Sequence, residues 1–158
     1  MATYNRTVTG GGTAGHPSNA AVPYVVTSPV WDTADGGAGG DIVQLIDVPA
    51  DTMIIAGCLE VLEARGNGQT TVDIGFTGGD VDCFVDGSVV AAGFTPFLEA
   101  AVGASGANAR MLTSADTIDA LILDGGSSGE SALRFRIHVC MVDVSVNPVE
   151  SATVSTGT

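Results

Sequence analysis

Short runs in which apolar and polar residues alternate, separated by turns rich in glycine, proline, asparagine and aspartate, make up most of the chain. The alternation is most regular over residues 132–144, where one face carries Leu133, Phe135, Ile137, Val139 and Met141. Arg134, Arg136 and His138 begin the opposite face. A helix would scatter these residues around its circumference, so the pattern predicts a β-strand with one buried face.

Similar patterns predict strands along most of the remaining chain. Their predicted bounds are residues 23–28, 41–48, 52–64, 71–76, 82–86 and 111–123, the last with a bend at 114–116. In the strand at 71–76, apolar residues alternate with Thr71, Asp73 and Gly75, which predicts one solvated face. The stretch 65–69 is typical of a hairpin joining this strand to the preceding one. Residues 88–109 are ambiguous, and one or two helical turns are an option at 95–102.

About eight strands at hairpin-like spacing, with no internal repeat, favour an all-β fold. We predict a β-sandwich of jelly-roll type over residues 23–146. Residues 1–22 are predicted to form an extended N-terminal arm, because Gly10 to Gly12 and His16-Pro17 suit neither a helix nor a strand ladder. Residues 147–158, rich in serine and threonine, are predicted to form a flexible C-terminal tail.

Composition narrows the classes of function. The 158 residues are 45% hydrophobic and only 15% charged, as expected for one compact domain. The net charge is −13, and the five cationic residues are all arginines. Nucleic-acid binding needs clustered cations and is excluded, and anionic membranes are disfavoured for the same reason. No apolar run is long enough to span a bilayer, and no signal peptide is visible.

The sequence offers no catalytic residue set, so we expect no enzymatic activity, no cofactor and no metal. His16 lies in the predicted arm, and His138 is more simply explained as a cross-strand partner of an acidic residue. Glu60 and Glu63 are three residues apart in one strand and are therefore predicted to face opposite ways, which excludes paired acid catalysis. Carboxylates suited to calcium occur at Asp80, Asp82 and Asp86, but turn aspartates explain them more simply.

Cys58, Cys83 and Cys140 are odd in number, far apart and each in an apolar stretch. This pattern predicts buried free thiols and agrees with folding in a reducing cytoplasm.

The residues with side chains suited to contacts with a partner lie in two regions. At the N-terminal side they are Tyr4, Arg6, His16, Tyr24 and Trp31. Trp31 is equally well explained as a core residue. At the other end of the chain, we favour the interpretation that Arg134 and Arg136 are neutralised by acidic residues on an adjacent strand. The alternative is that they bind an acidic surface of a neighbouring subunit.

Several segments of the chain together form a known pattern: the arm with His16-Pro17, residues 43–50, residues 71–76 followed by 84–87, and residues 114–118. These segments resemble head decoration (cement) proteins of tailed bacteriophages. The resemblance implies a β-structural protein without an active site that binds the outside of the major capsid protein lattice, often as a trimer. It implies a virion location, after synthesis in the host cytoplasm.

The prediction is therefore a cement protein that stabilises the capsid, assembled as a homotrimer, with no nucleic-acid or membrane partner. The alternative is a carbohydrate-binding or host-adhesion β-sandwich on a virion or cell surface. A tail or head-completion component of the same kind of particle is a third possibility.

Overall fold

The computed structural model describes residues 3–9, 23–35, 39–64, 71–76, 78–89, 92–97, 110–123 and 133–145. These residues form eleven strands and one short 3₁₀ helix. The strands are β1 (Thr3–Thr9), β2 (Tyr24–Thr27), β3 (Trp31–Asp32), β4 (Ile42–Val48), β5 (Thr52–Glu63), β6 (Thr71–Gly75), β7 (Val85–Val89), β8 (Gly93–Phe97), β9 (Arg110–Leu112), β10 (Asp116–Ile122) and β11 (Arg134–Asp143). The 3₁₀ helix is Thr33–Asp35. None of the described residues forms a helix long and apolar enough to cross a bilayer.

The strands form two sheets that face each other across one core. The first sheet has the order β1-β4-β10-β6-β7, and the second has the order β2-β11-β5-β8. In the second sheet β3 also pairs with β11, and β9 also pairs with β5. All pairings are antiparallel except the parallel pairing of β1 with β4. The prediction of an all-β sandwich is confirmed.

The connectivity is that of a jelly roll. Strands β2, β4, β5 and β6 pair in turn with β11, β10, β8 and β7, so the chain doubles back on itself like one long hairpin whose tip lies between β6 and β7. Rolling up this hairpin places alternate pairs in opposite sheets, which gives four strands in each sheet besides β1, β3 and β9. Jelly rolls occur among viral capsid proteins and among lectins, so the connectivity alone does not choose between them.

The alternating pattern of β11 is reproduced in the packing. Its five predicted core residues, from Leu133 to Met141, are all fully buried. They belong to the same core cluster as apolar side chains of the first sheet such as Leu45, Ile74 and Ile118, which are also fully buried. Burying a side chain of this kind stabilises the fold by about 1.5–3 kcal/mol.

An aromatic group closes one part of this core. The rings of Phe76 and Phe84 lie 5.2 Å apart in an edge-to-face arrangement, and those of Phe84 and Phe97 also lie 5.2 Å apart. Phe97 belongs to the second sheet, whereas Phe76 follows β6 of the first. Because such ring pairs add to simple burial, they help fasten the two sheets together.

The N-terminal segment differs in part from its prediction. Residues 1–22 were predicted to be an arm outside the sandwich, but Thr3–Thr9 forms strand β1 at the edge of the first sheet. Its pairs with β4 run from Thr3 opposite Ile42 to Thr9 opposite Asp47. Residues 10–22 and the predicted tail at 147–158 lie outside the described residues.

Between residues 64 and 102 the structure resolves part of one open question and contradicts one prediction. Residues 93–97, which include the first three residues of the optional helical segment at 95–102, form strand β8, and residues 98–102 lie outside the described residues. No hairpin joins β5 to β6, because β5 belongs to the second sheet and β6 to the first. The connection at 65–69, which is outside the described residues, therefore links two sheets rather than two neighbouring strands.

The predicted solvated face of β6 is also wrong, because Asp73 and Gly75 are buried on that face. A β-carbon on Gly75 would overlap the backbone of Asp80 and Val81. Asp73 Oδ1 accepts a 2.6 Å hydrogen bond from the Gly87 amide, where the β6–β7 register shifts. Gly87 has a φ of +56°, a conformation that glycine adopts without steric cost.

The predicted bend at residues 114–116 is the point at which the chain changes sheet. β9 pairs with β5 in the second sheet, and β10 begins at Asp116 in the first.

Candidate interaction surface

A group of hydrogen-bonded polar and charged side chains lies on the side of the second sheet that points away from the core. We call this the outer face, and define it by the residues that lie opposite one another across its strands. Its three rows are Val25, Cys140 and Ala56; Thr27, His138, Cys58 and Pro96; and Arg136, Glu60 and Phe94. Arg134 continues the face beyond Arg136 on β11.

Glu60 is the centre of a hydrogen-bonded network on this face. Its Oε2 accepts a short hydrogen bond from Nε of Arg136, directly opposite on β11. The same oxygen lies 2.8 Å from Nε2 of His138, whose Nδ1 lies 2.9 Å from the Thr27 hydroxyl. Because a carboxylate only accepts, Nε2 carries the hydrogen, and in the neutral ring Nδ1 accepts from Thr27. One network therefore connects three adjacent strands, β2, β11 and β5.

The network changes the ionisation of its central carboxyl group. The hydrogen bonds from Arg136 and then from His138 lower the pKa of Glu60 below its usual value. Only 14% of the Glu60 side chain is exposed, so water screens these contacts less than at an open surface. The prediction that His138 is a cross-strand partner of an acidic residue is confirmed.

Arg134 is also paired within the chain. Its guanidinium lies 3.6 Å from Asp32 and 3.9 Å from Glu63. The favoured prediction for Arg134 and Arg136, neutralisation by acidic residues of adjacent strands, is therefore confirmed. Pairs as exposed as this one contribute little to stability.

The prediction that Glu60 and Glu63 face opposite ways is wrong. The register between β5 and β11 shifts between Arg134 and Phe135, so that Glu63 lies opposite Arg134 while Glu60 lies opposite Arg136. A β-bulge places one extra residue in a strand and so changes the alternation of its faces. Both carboxylates consequently reach arginines of the same outer face.

Two of the aromatic residues suggested for partner contacts, Trp31 and Tyr24, pack against the core, the first wholly and the second in part. Trp31 is only 2% exposed, lies opposite Phe135 and belongs to the core. Of the two roles that the sequence allowed for Trp31, the structure therefore shows the core role, and its indole is not on the surface. Tyr24 is half-buried against the same core. The pKa of its phenol is raised overall, first by burial and then by the negative charge of nearby Asp143. A hydrogen bond with the Thr52 side chain has a smaller effect in the opposite direction.

The remaining suggested contact residues lie near the N-terminus. Tyr4 and Arg6 are in β1, with Tyr4 opposite Val43 of β4. His16 lies outside the described residues. Of the six suggested residues that the structure describes, Arg134 and Arg136 lie on the outer face, whereas Tyr4 and Arg6 belong to the first sheet and Tyr24 and Trp31 pack against the core.

Sequence reasoning missed the apolar part of the outer face. Phe94 is 68% exposed and Val25 is 66% exposed, although both belong to strands. Pro96, beside Phe94, is exposed as well. The sequence did contain a signal, because side chains three residues apart in a strand point to opposite faces. If Phe97 points into the core, Phe94 must point outward.

Two of the aspartates considered for calcium, Asp80 and Asp82, interact with each other, and Asp80 also pairs with an arginine. Asp80 is 3.1 Å from the Arg110 guanidinium, which links the β6–β7 connection to the second sheet. A hydrogen bond between Asp80 and Asp82 lowers the pKa of Asp80 and raises the pKa of Asp82. Among the residues that the structure describes, no group of three or more His, Cys, Asp or Glu side chains is placed to hold a metal ion.

The three cysteines are free, but they are half-buried rather than buried as predicted. Cys83 packs against the core, and burial raises its pKa to about 11. Cys58 and Cys140 instead lie on the outer face. Burial, and then the negative charge of Glu60, raises the pKa of Cys58.

The complete fold can be compared with solved structures. A chain of the cyanophage Pam1 capsid asymmetric unit superposes with a TM-score of 0.63 at 11% identity, over 82% of this chain and 90% of that chain. Chains from three phage capsids share this fold. A chain from the capsid of Ralstonia phage GP4 superposes with a TM-score of 0.57 at 19% identity, over 85% of this chain and 94% of that chain.

The third capsid chain comes from the acidic stable capsid of the Helicobacter pylori bacteriophage KHP30. Its TM-score is 0.56 at 16% identity, over 77% of this chain and 87% of that chain. No protein-family model matches the sequence, and no curated protein matches it. The similarity to the capsid chains therefore lies in the fold, which they share over most of their length.

Proposed function

We propose that this protein is a structural component of a tailed-phage virion that binds the outer surface of the capsid lattice and stabilises the head. The observation that supports this most strongly is the jelly-roll fold shared with chains of the Pam1, KHP30 and GP4 capsids. The proposed partner is the major capsid protein, and the proposed assembly is a homotrimer.

Charge supports a position outside the head. The interior of a filled head holds densely packed DNA, whose phosphates repel a chain with a net charge of −13. Arg110, Arg134 and Arg136 are paired with carboxylates of the same chain, so these three cations are already neutralised. An external position avoids this repulsion.

The experiment that tests the proposal uses heads assembled without this protein. Purified protein is added, and the heads are separated from free protein by sedimentation. We expect many copies to bind each intact head, and the loaded heads to release their DNA at a higher temperature than bare heads. Absence of binding, or binding of only a few copies, would contradict a cementing role, and a few copies would favour a head-completion component.

We also propose that the protein has no enzymatic activity. Thr27, His138 and Glu60 form a hydroxyl–imidazole–carboxylate series, but they lie on the open face of a sheet. Hydrolysis by such a series needs donors that bind an oxyanion beside the nucleophile. We expect no ester hydrolysis that depends on Thr27, and a loss of p-nitrophenyl acetate turnover in Thr27→Val would show the opposite.

Carbohydrate binding is the alternative that the jelly-roll fold leaves open. Of the aromatic rings that could form a sugar platform, Trp31 is buried and Tyr24 is half-buried, whereas Phe94 is exposed. A single exposed phenylalanine gives the alternative little support. A glycan array would distinguish it, because saturable binding of one glycan would favour adhesion over cementing.

A further inference from the structure

The outer face is apolar on both sides of its ionic network although it faces solvent. Phe94 and Val25 expose about two-thirds of their surface. Cys58 and Cys140, which are half-buried, lie between them on the middle strands, and Ala56 and Pro96 are exposed. Contiguous apolar residues on a solvent-facing surface mark a site of protein contact.

The same face is nearly neutral in a strongly acidic protein. Arg134 and Arg136 face three carboxylates, those of Asp32, Glu60 and Glu63. This balance leaves about one of the thirteen net negative charges here, and the others lie elsewhere in the chain. The ionic network thus removes charge repulsion from the surface that carries the exposed apolar residues.

This distribution of charge selects the partner. A basic protein would be attracted to the acidic surfaces rather than to a neutral one. A partner as acidic as this chain is repelled by those surfaces and approaches more closely at the neutral face. A second copy of this chain is such a partner.

We propose that the outer face of the second sheet is the surface through which copies of this protein bind one another. Phe94 and Val25 are the apolar anchors of the contact. Arg134 and Glu63, which are 46% and 51% exposed, offer both signs of charge to the neighbouring copy. This inference rests on the part of the proposed function that makes the protein an oligomer, and it adds the surface that does so.

The test compares single substitutions that add the same negative charge at different places. Phe94→Asp and Val25→Asp place the charge on the outer face, on two different strands. Leu123→Asp is the matched control, because Leu123 is 45% exposed and follows β10 of the first sheet. All three side chains are exposed, so the core is not disturbed. Native mass spectrometry and sedimentation of the full chain, over a range of concentrations, measure the dissociation constant of the oligomer.

We expect Phe94→Asp and Val25→Asp each to weaken self-association at least about tenfold, and Leu123→Asp to leave it unchanged. Self-association that survives both outer-face substitutions would overturn this inference while leaving the oligomer intact. A wild-type protein that remains monomeric would overturn both the oligomer and the inference. Attachment to heads is measured separately, so a failure of the cementing role is distinguishable from either result.

A second measurement requires no substitution. The rate at which a thiol reagent labels each cysteine is followed as the concentration of wild-type protein rises through the range of assembly. We expect Cys58 and Cys140 to become protected, whereas Cys83, which packs against the core away from the outer face, keeps its rate. Unchanged labelling of Cys58 and Cys140 in the assembled protein would overturn the inference.

Discussion

The ring of Phe97 lies directly against the α-carbon of Gly57 on the neighbouring strand. A β-carbon added to Gly57 would overlap Cε2 and Cζ of that ring and lie 2.8 Å from the carbonyl oxygen of His138. Phe97 is only 2% exposed and belongs to the core. The close approach of β8 to β5 therefore depends on glycine at position 57.

Gly57→Ala is expected to destabilise the protein by about 1–3 kcal/mol, because the inserted methyl group forces the Phe97 ring or the backbone of β11 to move. This direction is the reverse of the ordinary effect, since alanine is favoured over glycine in a strand. Gly78→Ala is the control, because nothing lies within 4 Å of its added β-carbon. We expect the control to change stability by less than about 0.5 kcal/mol. Urea unfolding measures both, and equal stability of the two variants would contradict the packing described.

The sequence predicted best those elements whose pattern is local. In β11 strict alternation fixed which residues are buried, and all five apolar positions are fully buried as predicted. The alternation of apolar and polar residues does not show which strands pair with each other. The stretch at 65–69 has the composition of a hairpin, yet its flanking strands belong to different sheets, because the rolled-up hairpin of the jelly roll places β5 between β8 and β11.

The candidate surface was predicted only in part, for a similar reason. The excess of acidic residues was enough to predict that Arg136 is neutralised by a neighbouring strand. The identity of its partner, Glu60, depends on the register between β5 and β11, which the sequence does not show. Glu63 reaches Arg134 only because a bulge changes the alternation of β5. Phe94 was missed because an exposed phenylalanine and a core phenylalanine look alike in a sequence until the strand and its direction are known.

Two phenylalanines with opposite exposure give a matched pair of substitutions. Phe135 is fully buried at the centre of the second sheet, and its removal leaves a cavity between the sheets. We expect Phe135→Ala to cost about 3–5 kcal/mol of stability, measured by chemical unfolding at low protein concentration. Phe94→Ala should cost less than about 1 kcal/mol under the same conditions, because its side chain is 68% exposed. Similar losses for both would mean that Phe94 is buried in the monomer.

The lowered pKa of Glu60 predicts a specific dependence of stability on pH. Protonation of Glu60 disrupts its hydrogen bonds with Arg136 and His138, so the stability it contributes is present above the ordinary glutamate pKa of about 4.5 and is lost as pH falls through the lower folded value. We therefore expect wild type to be more stable than Glu60→Gln at pH 6 to 7, and the difference to shrink progressively below about pH 4.5.

The difference between the two proteins is the quantity to measure, because other carboxylates also titrate in this range. Urea unfolding at a series of pH values from neutral to acid gives both free energies. Glu63→Gln is the control, since Glu63 is 51% exposed and 3.9 Å from Arg134. A difference for Glu60→Gln that stays constant down to acid pH would show that its ion pairs do not stabilise the fold.

Strand β1 gives a prediction that separates folding from attachment. It pairs in parallel with β4 at the edge of the first sheet, so its removal exposes the backbone groups of β4 that it had paired. Deleting residues 2–9 should therefore lower the melting temperature by at least about 2–4 °C, the shift that about 1 kcal/mol produces in a domain of this size. Deleting residues 147–158, which the sequence predicts to be a flexible tail, is the control and should leave the melting temperature unchanged. If the first deletion leaves the melting temperature unchanged and abolishes binding to heads, the N-terminal segment acts as an arm for attachment rather than as part of the sandwich.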